Sequence, residues 1–140
     1  MNETTSFRLL VALAGASMLL ALYVPQVAEP PPQQLQDLYG WLGYGAVIPG
    51  VVDERLWYVW LVLSIVGLLG AFFYWNFARP LLLLPLLISC VRAGLGGIYV
   101  SAPVEDAAWT LYYTFSTFVI GMAFFSEQTA QRFSRGRRAR

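Results

Sequence analysis

The sequence predicts an all-α integral membrane protein, a bundle of four transmembrane helices with a short interfacial helix on its external side. Three observations lead to this prediction. Hydrophobic residues make up 58% of the 140-residue chain and charged residues 12%, whereas about a quarter of an ordinary soluble domain is charged. Four apolar runs approach or exceed the length of about 20 residues that a bilayer requires. The arginines are unevenly distributed among the links between these runs.

The four predicted spans cover residues 7–24, 56–78, 80–101 and 107–126 of a single domain that takes in the whole chain, 1–140. The link NFAR joins the second and third spans, and so short a link predicts an antiparallel hairpin. Asp53 is predicted to cap the second helix at its N-terminus. The first run also has features of a cleaved signal peptide, but Gln26 breaks the small-residue pattern of a cleavage site, which favours a retained span.

The distribution of arginine predicts how the chain is threaded. Arg8, Arg79 and the basic tail 127–140 fall on one side of the predicted membrane, and Arg55 falls on the other. Cytoplasmic links carry an excess of basic residues, so we expect both termini in the cytoplasm. All nine basic residues are arginine, a composition typical of GC-rich bacterial genomes. The predicted location is therefore a bacterial inner membrane, with the tail as a solvated basic cluster.

The external loop, residues 25–55, is the largest segment outside the predicted spans. Its EPPPQQ stretch favours an extended polyproline conformation. The next residues place apolar side chains on one face of a helix, namely Leu35, Leu38, Tyr39 and Leu42. Such a helix would lie on the membrane surface or over the mouth of the bundle, and the sequence does not separate these arrangements.

Arg92 lies inside the third predicted span, where a charged side chain costs about 2.5–3.5 kcal/mol on insertion scales. No acidic residue falls within any predicted span. The candidate partners are the hydroxyls of Tyr113 and Thr117 at similar depth, and the external carboxylates of Glu105 and Asp106. One interpretation is an arginine that reaches the surface or a hydroxyl and pins the span. The other is a contact with an anion, a lipid headgroup or a carboxylate of another protein.

Small residues recur at every fourth position of the third span, which is the spacing of one helical face. They are Ser89, Ala93, Gly97 and Ser101. Small residues let helices approach closely in lipid, so this face is predicted to pack the third span on the second. The hydroxyl residues of the fourth span fit interhelical hydrogen bonds or the lining of a cavity.

The residue inventory argues against catalysis. The chain has no His and a single Cys, Cys90, and it has no nucleophile elbow, zinc motif or phosphate-binding loop. We therefore expect no catalytic residue, no metal and no cofactor. We expect a non-catalytic accessory or assembly subunit of a membrane complex. The alternative is a small anion or solute transporter or channel that acts as an oligomer around Arg92. The expected partners are the lipid bilayer and another membrane protein or a second copy, with no nucleic acid.

The layout resembles that of DoxX-type and other small bacterial four-span proteins. A longer external loop follows the first span, and Arg79 follows the second. This is a similarity of topology, and it assigns no role to any residue.

Overall fold

The protein is described by a computed structural model over residues 2–27, 47–95 and 103–135, and these residues form five α-helices. The helices are α1 (Glu3–Val27), α2 (Gly50–Phe72), α3 (Ala78–Leu95), α4 (Pro103–Phe125) and α5 (Glu127–Arg135). The first four are long and apolar enough to cross a membrane. The predicted number of such helices is confirmed, and it suggests a multi-pass membrane protein. The predicted external helix falls outside the described residues.

The start of α2 differs from the prediction, which capped the helix at Asp53 and began its apolar span at residue 56. The helix begins at Gly50, and Pro49 takes the N-cap position with φ −61° and ψ 145°. Asp53 is not the cap, because its backbone N–H already donates to the Pro49 carbonyl oxygen at 3.1 Å. A carboxylate in the first turn of a helix faces the positive end of the helix dipole. The helix can therefore continue through the charged VVDER stretch, which the prediction assigned to the loop.

The helices pack as two main pairs, α1 against α4 and α2 against α3. The buried apolar positions of α1 alternate at spacings of four and three residues, which is the pattern of a left-handed helix seam. They are Phe7, Val11, Ala14, Met18 and Ala21. On α4, Tyr112, Val119 and Ala123 belong to the same buried core. The first and last membrane-length helices therefore lie side by side.

The predicted hairpin of the second and third spans is present, and residues 73–77 form its turn. Two hydrogen bonds close the end of α2, from Tyr74 N–H to the Ala71 carbonyl and from Trp75 N–H to the Gly70 carbonyl. This is a Schellman motif, in which glycine usually occupies the left-handed position. Here that position is held by Tyr74, with φ 57°. A left-handed non-glycine residue costs about 1–2 kcal/mol, so contacts of the tyrosine ring must offset this cost.

Close packing of α2 on α3 occurs near this turn and not along the predicted small-residue face. A Cβ atom added to Gly70 would lie 2.9 Å from the Ala78 Cβ, and one added to Gly67 would lie 3.4 Å from the Leu81 carbonyl oxygen. The buried residues of α3, namely Ala78, Leu82 and Pro85, all lie in the half nearest the turn.

The predicted packing face therefore needs correction where the structure describes it. Ala93 is exposed, because the buried part of α3 ends well before it. Ser89 is only partly buried, and its hydroxyl is directed to α4 rather than α2. Gly97 and Ser101 lie outside the described residues.

The predicted basic tail is not wholly solvated. Ser126 precedes α5 and caps it, since its Oγ accepts from the Thr129 N–H at 3.3 Å. On the inner face of this short helix, Thr129 and Phe133 are buried. The helix folds back on α4 and α1. Residues 136–140 lie outside the described part of the chain.

The glycine contact leads to a prediction for stability. Gly70→Ala places a methyl group against the Ala78 Cβ, so α2 and α3 must shift apart. We expect the free energy of unfolding to fall by about 1–3 kcal/mol, a typical cost of overpacking, and the melting temperature in detergent to fall with it.

The matched control is Gly94→Ala, because a Cβ atom added to Gly94 meets nothing within 4 Å. Its melting temperature should be unchanged or slightly higher, since alanine favours helix more than glycine does. Equal melting temperatures for the two variants would contradict the close contact at Gly70.

Candidate functional site

Arg92 forms a two-pronged contact with Asp53. Its Nε donates to Asp53 Oδ1 at 2.7 Å, and its Nη2 donates to Asp53 Oδ2 at 3.0 Å. The planar guanidinium matches the two carboxylate oxygens in this arrangement, which makes it one of the stronger ion-pair geometries. The side chains are 24% and 12% exposed, so solvent screens the pair only in part.

The backbone brings these two residues together. Asp53 lies in the first turn of α2 and Arg92 in the last described turn of α3. The chain entering α2 crosses the end of α3, where the Val47 N–H donates to the Leu95 carbonyl oxygen at 2.8 Å. An acid near a helix N-terminus and a base near a helix C-terminus each interact favourably with the helix dipoles.

The expectation that no span holds an acidic partner for Arg92 was wrong. The membrane-length part of α2 runs over Val51–Phe72 and so includes Asp53. The signal was present in the sequence as an acid in the VVDER stretch. Sequence periodicity does not specify which residues of two separate helices meet, so the pairing itself could not be derived.

The other predicted site residues have contacts of their own. The Tyr113 hydroxyl shares a hydrogen bond of 3.2 Å with Ser89 Oγ, which links α4 to α3. Thr117 Oγ1 donates to the carbonyl oxygen of Tyr113 at 2.8 Å. Glu105 accepts from the Trp109 indole N–H at 3.4 Å, and Asp106 lies exposed in the first turn of α4. Arg92 is thus paired with Asp53, a residue that the sequence analysis did not include among its candidate partners.

A second polar cluster, absent from the sequence predictions, lies between α2 and α4. The Tyr112 hydroxyl donates to Ser64 Oγ at 3.1 Å, and both residues are buried. Trp60 packs edge-on against Tyr112, with ring centroids 5.6 Å apart. Ser64 is the only serine in the second predicted span. A lone serine in an apolar run was therefore the signal in the second span that pointed to this interhelical bond.

A cavity of about 20 Å³ adjoins this cluster and also reaches α3. Trp60 is one of its lining residues, and the indole N–H of Trp60 is buried without a hydrogen-bond partner among the described residues. A polar cavity needs about 10–15 Å³ to hold a water molecule, so the space is large enough for one water. The cluster thus links α2 to α4 through a hydrogen bond. The cavity beside it has no room for a larger substrate.

Metal-ligating groups do not converge in the described ranges. Residues 2–27, 47–95 and 103–135 contain no group of three or more His, Cys, Asp or Glu side chains with metal-binding geometry. Cys90 is exposed on α3.

No protein-family model, curated protein or solved structure significantly matches this chain.

The ion pair predicts a pattern of coupled stabilities. Arg92→Leu and Asp53→Leu should each lower the free energy of unfolding by about 1–3 kcal/mol, because each leaves one charge uncompensated. This cost is below the roughly 3–5 kcal/mol of a fully buried pair, since solvent reaches both side chains. The double variant should regain most of the loss. Arg92→Lys should give a partial loss, because lysine cannot make the two-pronged contact.

The melting temperatures of these four variants are measured by thermal unfolding in detergent. The control is Arg55→Leu, because Arg55 is an exposed arginine two residues beyond Asp53, and it should leave the melting temperature nearly unchanged. If the losses of the two single variants add in the double variant, Arg92 and Asp53 do not stabilise each other.

Proposed function

We propose that the protein is a non-catalytic accessory or assembly subunit of a complex in a bacterial inner membrane. The observation that carries the proposal concerns α3. Only 17% of its membrane-length window is buried within this chain, against 22–39% for the other three. Because α3 carries a charge and is little buried within its own chain, it exposes a face to which another membrane helix can bind.

The half of α3 beyond Pro85 has the surface chemistry of a helix contact. Ala93 and Gly94 are exposed, and the space next to Gly94 is open. Small residues let a neighbouring backbone approach closely, which favours helix association in lipid. Arg92 on the same segment is held by Asp53, so a partner that docks here need not supply a carboxylate.

The alternative function, an anion or solute path around Arg92 in an oligomer, has less support. Asp53 neutralises the guanidinium charge and occupies two of its donors. An anion would have to displace that carboxylate or bind beside it at a cost in repulsion. The cavity beside Tyr112 and Ser64 is not lined by Arg92, and its volume of about 20 Å³ suits a water molecule.

The distribution of charge supports cytoplasmic termini. Arg8, Arg79 and Arg132 all contact aromatic rings of one cluster at the end of the bundle that holds the α2–α3 turn. Arg55 belongs to the opposite end, near the start of α2. An excess of arginine on the side of the two termini is the pattern of a cytoplasmic face.

The orientation gives a direct prediction. A reporter enzyme that is active only in the cytoplasm should be active when fused after Arg140, and a reporter that is active only outside should be silent there. The same external reporter inserted in the loop 25–55 should be active, which controls for expression. The reverse pattern of activities would overturn the proposed orientation.

The subunit proposal is tested by extraction in mild detergent and identification of proteins that co-purify in fixed stoichiometry. We expect such a partner with the unmodified chain and its loss with Gly94→Leu, because the leucine side chain would hold a neighbouring helix away. Gly121→Leu on α4 is the matched control, since the space around Gly121 is also open, and it should retain the partner.

Two results would count against this function. One is a protein that purifies without a stoichiometric partner. The other is a partner that is retained equally by both leucine variants. A pure homo-oligomer that carries anion flux in liposomes would favour the transporter instead.

A further inference from the structure

Three aromatic rings from separate parts of the chain meet at the end of the bundle that holds the α2–α3 turn. They are Phe7 of α1, Tyr74 of the turn and Phe133 of α5, and we call them the aromatic triangle. The ring centroids lie 5.3 Å apart for Phe7 and Tyr74, 5.9 Å for Phe7 and Phe133, and 5.2 Å for Tyr74 and Phe133. Phe7 and Phe133 are almost completely buried. The triangle therefore fixes α5 and the turn against α1.

Three arginines surround this triangle, each from a different helix. The guanidinium carbons of Arg8 and Arg132 lie 5.6 and 5.8 Å from the centroid of the Tyr74 ring. That of Arg79 lies 6.0 Å from the Phe133 ring and 4.8 Å from the ring of Phe124. Stacking on an aromatic face orients a guanidinium and leaves its N–H donors free at the edge of the plane.

Among the described residues at this end, the three arginines outnumber the acids Glu3 and Glu127, so the acids offset only part of the positive charge. The ion pair found among the described residues is that of Arg92, at the other end of the hairpin. The Glu3 carboxylate accepts from the hydroxyls of Ser126 and Thr129 and keeps its negative charge, and Glu127 is exposed. The buried Arg79 Nε has no hydrogen-bond partner among the described residues.

Tyr74 adds no negative charge. Burial raises the pKa of its phenol above the ordinary value, although the nearby Arg132 and Arg8 oppose this shift. The phenol thus stays neutral at physiological pH.

These arginines lie where the ends of three membrane-length helices meet. Arg8 is in the first turns of α1, Arg79 is the second residue of α3, and Arg132 lies on α5 just beyond α4. If the helices cross a bilayer, this is the level of the phosphate groups. Guanidinium groups form paired hydrogen bonds with phosphate oxygens, and basic pockets between membrane helices bind anionic headgroups.

We propose that Arg8, Arg79 and Arg132, held on the aromatic triangle, form a binding site for the phosphate group of an anionic phospholipid. Free phosphate shares this chemistry, but the site lies beside apolar helix surfaces that would take the acyl chains. The proposal rests on the membrane location that is part of the proposed function, and it does not depend on a protein partner.

A topology signal alone would not require this geometry. Orientation in the membrane depends on how many basic residues lie near the spans and not on how their side chains are held. Replacing arginine with lysine keeps the charge and thus the orientation, but it removes the planar donor pair and weakens stacking on the rings. The lysine substitution therefore distinguishes a binding site of defined geometry from general attraction to an anionic surface.

The test measures the melting temperature of the purified full chain in neutral detergent while lipid is titrated in. We expect phosphatidylglycerol to raise the melting temperature in a saturable way, and phosphatidylcholine to have little effect because its headgroup is neutral overall. Millimolar inorganic phosphate should also have little effect. A response to inorganic phosphate equal to that of phosphatidylglycerol would overturn the assignment to a lipid, as would equal responses to the two lipids.

Variants locate the site. Arg8→Gln, Arg79→Gln and Arg132→Gln should each raise the half-saturating phosphatidylglycerol concentration about fivefold, the effect expected of one basic residue at an anionic surface. Arg55→Gln removes one charge at the opposite end and should leave this concentration unchanged. Equal effects of all four variants would show that only net charge matters, and the site would be disproved.

A charge-conserving variant completes the test. The triple variant Arg8→Lys, Arg79→Lys, Arg132→Lys should keep the orientation of the chain but lose most of the saturable response. A triple variant that responds like the unmodified chain would overturn the proposal. If it fails to fold, the exposed pair Arg8→Lys, Arg132→Lys replaces it, with the same two outcomes.

Discussion

The paired hydrogen bonds between Arg92 and Asp53 fix the register of α3 against α2. In a bilayer, a hairpin of two apolar helices would have little to prevent one helix from sliding along the other, because hydrocarbon offers equal contact in every register. Here the sliding is blocked at both ends. At the turn, Gly70 admits only the small side chain of Ala78, and at the far end a displaced helix would leave two charges apart. The positions of all other groups on α3 follow from this register.

Polar contacts between the helices differ with their position along the bundle. Between the two ends, neutral hydroxyls make the links, from Tyr112 to Ser64 and between Tyr113 and Ser89. A hydroxyl pair joins helices without the desolvation cost of a charge. The charged pair lies instead near the helix ends, where partial exposure and the helix dipoles lower that cost. The α2–α3 pair is thereby joined to α4, which itself lies along α1.

The sequence was sufficient for the features that depend on local composition and was insufficient for those that depend on contacts between helices. Apolar runs identified four membrane-length helices, and the short NFAR link predicted the hairpin. The start of α2 was misplaced because the VVDER charges look like a loop until their partner on another helix is known. The packing face was misplaced for a similar reason: the stripe through Ser89 and Ala93 has the right spacing, but the glycines that meet α3 are on α2. The tail was predicted to be solvated because its arginines outnumber its apolar side chains. One of these apolar side chains, Phe133, is nevertheless buried.

The arginines have different kinds of partner at the two ends of the bundle, and this difference determines the charge of each end. At the Arg92 end, a carboxylate of the same chain neutralises the charge. At the other end, arginines lie on aromatic rings, while the nearby carboxylate of Glu3 is engaged by hydroxyls. An aromatic face holds a guanidinium in place without cancelling its charge. That end therefore keeps an excess of positive charge among its described residues, a property on which both the proposed orientation and the proposed lipid site depend. The strained backbone of Tyr74 is consistent with this account, because glycine at that position would relax the turn but remove the ring that two of the arginines contact.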